Sequence, residues 1–270
     1  MKKRTITGAA ITIIVYAVVA YSHIPTVILC ATGLLSAFAV YEIYAAAGMS
    51  GNMMLVLCSA AASFVLAILP IPDYDSVLMI VFPLAVIFFA YMMVRQSRGV
   101  PAKRSQAFLV AALVVLLFKA VPYLRLVEHG LFYFAGAITL CFATDVAAYL
   151  IGSRFGTHKL MPKISPNKTT EGSLAGIAAS LCVMLLLGHW LEYTQAACIN
   201  WAALTVYAVT ASAVGQFGDL AMSVVKRSYG VKDFGNLLPG HGGILDRFDS
   251  HLFCIAYTLL FCSMTGGLIR

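Results

Sequence analysis

The chain has 270 residues, 61% of them hydrophobic and 11% charged, with a net charge of +7 and a mean hydropathy of +0.91. A soluble domain carries roughly a quarter charged residues, so an ordinary soluble fold is excluded, and apolar runs that continue for about 18–20 residues exclude a barrel of ~10-residue alternating segments. The basic residues lie in connecting segments without interleaved aromatics, which points to topology and lipid contact and not to nucleic acid, and the 7 cysteines are scattered through apolar runs with no CxxC pair, which excludes a disulfide frame or a zinc site.

In chain order, the apolar runs predict an all-α polytopic membrane protein with nine spans, near 5–22, 25–46, 52–70, 76–94, 106–123, 131–152, 173–191, 199–224 and 249–268. The basic head and long apolar body at the start read as a retained first helix and not a cleaved signal. Pro25, Pro70, Pro72 and Pro101 fall between spans, as helix breakers should. No internal repeat or low-complexity linker is visible, so one membrane domain covers 1–270, with N-terminal helices over 1–130 and, over 131–270, the helices expected to carry any catalytic site because both long polar loops lie among them. With nine spans, 15 of the 18 basic residues fall on one side, leaving Lys119, Arg125 and Arg270. The positive-inside rule then makes the N-terminus cytosolic. The extended polar tracts are two loops on that same side, 153–172 and 225–248. Long loops in a compact domain tend to be functional.

Four ionisable residues fall inside apolar runs: Glu42, Lys119, Asp145 and Asp219. Each costs about 2.5–3.5 kcal/mol at a helix centre, and such residues usually mark a site. On a helix, Ser212, Gly215, Gln216, Asp219 and Ser223 form one polar stripe that leads into Lys226 and Arg227. Asp145 sits in the cytosolic half of its span and could share a depth with Asp219, or serve only helix packing. Glu42 and Lys119 lie near helix ends, where snorkelling or simple pairing accounts for them. Asp246 and Asp249 share a face at the head of the last span, as dipole-favoured caps or as ligands. Beside them stand Arg247, His241 and the glycines Gly240, Gly242 and Gly243. Glycine lets a backbone approach a ligand closely, loop amides can cradle phosphate, and carboxylates hold Mg2+. The first loop carries Lys163, Lys168, Thr169, Thr170 and Glu171, a set that suits either a helix cap or a grip on polyphosphate. No GxxxxGK[ST] P-loop occurs.

Two function classes survive this reading. One is a membrane enzyme that handles a phosphate-bearing nucleotide at the cytosolic face, with metal at Asp219 and Asp246. The other is a transporter whose buried carboxylates couple to an ion. The concentration of charge at one face, and the lack of an inverted repeat, favour the enzyme.

The segment SVVKRSYGVKDFGNLLPGHGGILDRFD, 223–249, closely resembles the hallmark motif of the phosphatidate cytidylyltransferases, the CDP-diacylglycerol synthases. A second segment, DVAAYLIGSRFGTHKLMPKISPNKTTEGSLAG, looks like the other cytosolic region of that family, with Thr170 where an aromatic is common and Ala175 where a glycine is common. The resemblance is sharp over 145–250 and general over the N-terminal spans. It implies a multi-pass protein of the cell (inner) membrane that converts CTP and phosphatidate to CDP-diacylglycerol and pyrophosphate. It also implies a homodimer, a Mg2+ requirement that leaves a second cation open, and an active site on the cytosolic face. Carried onto this sequence, it makes Asp219 and Asp246 metal ligands, with Asp249 and Asp145 nearby. Lys168, Lys226, Arg227, Lys232 and Arg247 would neutralise phosphate, and His241 joins the catalytic set. Thr169, Glu171, Ser223, Gly242 and Gly243 would contact substrate. The runner-up is a CTP-dependent lipid-alcohol kinase, which attacks the γ-phosphate; an ion-coupled transporter is more remote.

Overall fold

The helices start and stop where capping chemistry allows. The computed structural model describes residues 17–98, 105–195, 198–238 and 242–269. Helix α1, Pro25–Ala46, begins on a proline, whose fixed φ suits the first helical turn. Helix α2, Met53–Ile68, is capped by Asn52, whose side chain accepts from Leu55 N at 3.3 Å. Helix α3, Tyr74–Ser97, contains Pro83. Helices α4, Ser105–Phe118, and α5, Ala120–Leu126, form one span interrupted at Lys119. Pro122 explains the interruption, since it lacks the N–H that would bond to the Phe118 carbonyl. Helix α6 is Gly130–Phe155, α7 is Thr170–Gln195, α8 is Trp201–Ser228, and α9 is Leu245–Thr265. Asn200 caps α8 through Ala203 N, and Gly266, at φ +73°, ends α9.

Among the described residues, seven helical segments are long and apolar enough to cross a membrane. The expected first span, 5–22, lies outside the described residues except for its last few. The third expected span is shorter than predicted: α2 has 16 residues, about 24 Å of helix. The first polar tract also differs from a plain loop. It holds an antiparallel hairpin, β1 Lys159–Met161 and β2 Ser165–Thr169, with Lys159 opposite Thr169 and Met161 opposite Ser165. The second tract is shorter than 225–248. Helix α8 runs on to Ser228, where Lys226 and Arg227 in its last turn complement the helix dipole.

Two packing features position the polar tracts. Helices α6 and α7 approach closely because glycines face each other. A Cβ on Gly172 would lie 2.6 Å from the Ala148 carbonyl oxygen and 3.1 Å from Gly152 Cα. A Cβ on Gly176 would lie 2.9 Å from Thr144 O. Small residues of this kind let membrane helices pack through van der Waals contact, since lipid offers no hydrophobic drive between them. Helices α8 and α9 are joined by hydroxyls, Tyr207 to Thr258 and Tyr257 to Thr210, each at 2.8 Å. The ends of the bundle are also sorted. Glu42, Ser97 and both polar tracts meet at one end; Ser22, Arg125, Asp75 and Ser263 are tied at the other.

Candidate active site

The polar stripe on α8 divides by depth. Its lower part is interhelical glue. Ser212 Oγ shares a 2.9 Å hydrogen bond with Thr144 Oγ1 of α6, and Gln216 Nε2 donates to Ser173 O of α7 at 3.2 Å. Its upper part opens onto charge. Asp219 forms an ion pair with Lys168, brought across by β2, and accepts a long 3.5 Å bond from Ser223 Oγ. Asp219, Lys168, Asp145, Tyr149, Asn167 and Gln216 border a cavity of about 310 Å³ between α6, α7 and α8. Asp145 and Asp249 both lie within electrostatic range of Asp219. Three carboxylates from three different helices therefore converge, with Lys168 among them and Lys226 within 3.7 Å of Asp249.

Lys168 reaches the cavity because the chain turns sharply behind it. Thr169 is buried and caps α7, its Oγ1 accepting from Gly172 N at 3.2 Å. Of the two readings of this stretch, the cap is therefore realised at Thr169, and the cap is also what aims Lys168 at Asp219. Glu171 is engaged with the start of the hairpin. It accepts from Thr157 Oγ1 at 2.8 Å, pairs with His158 Nδ1 at 2.6 Å, and takes the His158 amide. It thus fixes the entry to the hairpin.

Asp246 has a different setting. Its side chain is 2% exposed. Oδ1 accepts from Lys226 Nζ at 2.8 Å, and Oδ2 accepts from both Phe234 N and Gly243 N at 2.9 Å. The ring of Phe234 lies 5.4 Å from the same ammonium, a cation–π distance. Asp246 therefore holds the second loop to the end of α8. Arg227 stitches the two tracts together, with Nε donating to Ile164 O at 3.4 Å and Nη1 to Val231 O at 2.9 Å. Gly242 sits at φ +80°, a left-handed conformation that glycine adopts freely, and its carbonyl accepts from Leu238 N. Lys232 and Arg247 are exposed on the same end of the bundle. His241 lies outside the described residues.

The sequence reading missed one participant. Glu42 of α1 is 1% exposed, and its two oxygens accept from Ile244 N at 2.8 Å and Leu245 N at 2.9 Å. It caps the N-terminus of α9 from 202 residues away. Its acidic character inside an apolar run was the available signal, but the partners are backbone amides, which no side-chain pattern announces. Lys119 plays the mirror role at the opposite end. Its ammonium, 1% exposed, donates to Leu66 O at 2.7 Å and also to Leu69 O, closing the C-terminal end of α2.

Among the described residues, no three His, Cys, Asp or Glu side chains are drawn tightly enough together to enclose an ion. The donor chemistry nevertheless suits a hard divalent cation. Asp145, Asp219 and Asp249 supply oxygens only, from separate helices, the first two bordering a cavity with room for phosphate and water and the third within electrostatic range of Asp219. Asp246 has both oxygens engaged, Oδ2 by two amides and Oδ1 by one hydrogen bond from Lys226, so only Oδ1 keeps a free lone pair.

A family model described as the cytidylyltransferase family matches residues 2–265. Three relatives are each named phosphatidate cytidylyltransferase. The protein of Staphylococcus saprophyticus is 41% identical over 164 residues, covering 59% of this chain and 62% of that protein. That of Staphylococcus aureus strain COL is 46% identical over 128 residues, 47% of this chain and 48% of that one. That of Staphylococcus haemolyticus is 44% identical over 128 residues, with the same two shares. The match thus spans 62% of the first relative's length and about half of the others'. With a model that covers nearly the whole chain, the chain belongs to the cytidylyltransferase family.

Proposed function

We propose that this protein transfers CMP from CTP to phosphatidate, giving CDP-diacylglycerol and pyrophosphate, at the cytosolic face of the cell membrane. The observation that carries the reading is the meeting of two sequence-distant basic tracts at one end of the bundle, the first of them bordering a carboxylate-lined cavity. Lys168 pairs with Asp219 there, Lys226 with Asp246, and Arg227 links the tracts. The names of the Staphylococcus relatives supply the substrate class.

In this reading a phosphate oxygen of phosphatidate attacks the α-phosphorus of CTP. The bond from that phosphorus to the β-phosphate oxygen breaks, and pyrophosphate leaves. Phosphatidate already carries an anionic nucleophile, so no protein base is required. The protein's contribution is position and charge neutralisation. Lys168 and Lys226 would exchange carboxylate partners for phosphate oxygens, while Arg227 and the exposed Lys232 and Arg247 draw the polyanion in. The expected phosphate contact of the glycine amides narrows to Gly242, because Gly243 N already donates to Asp246 Oδ2. Mg2+ would be held by Asp219 with Asp145 and Asp249, joined by Asp246 only through Oδ1, and would supply further neutralisation of the triphosphate. A homodimer and a second cation belong to the same reading.

The test is purified protein given phosphatidate with α- or γ-labelled CTP. Label from the α position should enter lipid, with release of pyrophosphate. Transfer to lipid of the γ label alone would replace this reading with that of a CTP-dependent lipid kinase.

A further inference from the structure

We propose that Glu42 is a positioning residue for the nucleotidyl transfer, setting the glycine turn and the first turn of α9. The inference rests on the reading of the site as a cytidylyltransferase. Three consecutive amides, at 243, 244 and 245, are taken up by two side chains that grip the chain from different directions. Asp246 takes Gly243 N, and Glu42 takes Ile244 N and Leu245 N. Fixing three successive peptide planes fixes the direction in which α9 starts, and with it the side chains of Asp246 and Asp249. Asp246 in turn orients Lys226.

The neighbouring glycines make room for this carboxylate. A Cβ on Gly243 would lie 2.5 Å from Glu42 Oε1, and one on Gly235 would lie 2.8 Å from the same atom. Two of the motif's glycines thus have a reason that does not involve a nucleotide: they admit Glu42. A carboxylate suits the position because its charge is balanced by the positive end of α9. Through it the N-terminal helices, general in their resemblance to the family, become part of the template for the catalytic loop.

Helix capping alone would stabilise the fold without shaping the reaction, and Lys119 provides the comparison. It is an equally buried charge that holds a helix end, but at the opposite face of the bundle. Glu42→Gln, Glu42→Ala and Lys119→Met would be purified in lipid nanodiscs. Turnover would be read at saturating CTP and phosphatidate, alongside amide exchange of the peptide spanning 238–246. Both Glu42 variants should lose kcat by roughly 10²-fold, as expected for reacting groups displaced by about an ångström. KM should move little, and exchange in that peptide should speed up. Lys119→Met should melt at a lower temperature and keep its kcat and its loop exchange. Glu42→Gln keeps the shape of the side chain, so it decides the matter if Glu42→Ala does not fold. Gly243→Ala should be harmful alone and add little to Glu42→Ala, because the clash partner is gone.

Wild-type kcat in Glu42→Gln would overturn the proposal, as would unchanged loop exchange. Equal loss of kcat in Lys119→Met would also overturn it, by making the effect a general one of removing a buried charge. If the wild-type protein turned over no CTP, the functional reading would fall, and the exchange comparison would still decide whether Glu42 sets the loop.

Discussion

Asp219 and Asp246 carry the same carboxylate, and their surroundings assign them different work. Asp219 and its partner Lys168 are 27% and 29% exposed, beside a cavity. A pair this open contributes about 1 kcal/mol or less to stability. Asp246 and Lys226 are 2% and 9% exposed, and Asp246 also satisfies two backbone amides. Removing one member of such a pair strands the other and costs on the order of 3 kcal/mol. Asp219→Asn should therefore nearly abolish turnover and leave the melting temperature close to wild type. Asp246→Asn should lose both, softened in part because Asp249 lies 3.7 Å from the same ammonium. Thermal melts of the two variants in one detergent, read with activity, check this; equal stability losses would refute the assignment. Asp219 was legible because an aspartate in an apolar helix is expensive enough to imply a reason. The division of labour between the two aspartates was not, since it depends on which amides and ammonium groups the fold delivers.

Helix α7 shows how an element sets the site. Thr169 caps it, Lys168 precedes the cap, and Gly172 and Gly176 let it press against α6, which carries Asp145. The distance between those two helices thus controls the width of the cavity. Gly172→Ala would place a methyl 2.6 Å from a backbone oxygen of α6, which cannot rotate away. The helices must part, at a cost of about 1–3 kcal/mol typical of overpacking, and turnover should fall as Lys168 and Asp145 separate. Gly51→Ala meets nothing within 4 Å and should stay within about 0.5 kcal/mol of wild type. Denaturation of both variants, with activity, tests the point; a neutral Gly172→Ala would show the contact to be yielding. Helix positions were legible from runs of apolar residues, because spanning lipid demands them. The hairpin of β1 and β2 was not, because strands of 3 and 5 residues containing Lys159, Pro166 and Asn167 lack any alternation. They pair because α6 and α7 hold their ends together.

For the molecule as a whole, the two polar tracts must share one face of the membrane, or the site cannot exist. The fold supports this through ties at one end of the bundle. Lys163 of the first tract donates to Ser97 O at the end of α3, Arg227 joins both tracts, and Glu42 at the end of α1 meets the start of α9. At the other end, Arg125 donates to Ser22 Oγ and Ser263 to Asp75. Helix α6 separates the two sets by 26 residues, about 39 Å, which exceeds the hydrocarbon core of ~30 Å. The basic residues follow the same division, with Lys119 and Arg125 at the far end and the loop lysines at the near one. This predicts accessibility. In a background with its cysteines replaced, Lys159→Cys and Lys232→Cys, both exposed, should react with a membrane-impermeant maleimide only from the cytosolic side. Glu128→Cys, just before α6, replaces a side chain that is 92% exposed and should react only from the opposite side. Right-side-out and inverted vesicles, labelled in parallel, read all three. If Lys159→Cys and Lys232→Cys labelled from different sides, no single site could contain Lys168, Asp219, Lys226 and Asp246, and the proposed chemistry would fall with it. If Lys159→Cys and Lys232→Cys labelled together from the far side and Glu128→Cys from the cytosolic one, the site would survive intact and face away from the cytosolic nucleotide pool, against the positive-inside rule. Glu128→Cys reacting on the same side as the lysine positions would mean that α6 does not cross the membrane.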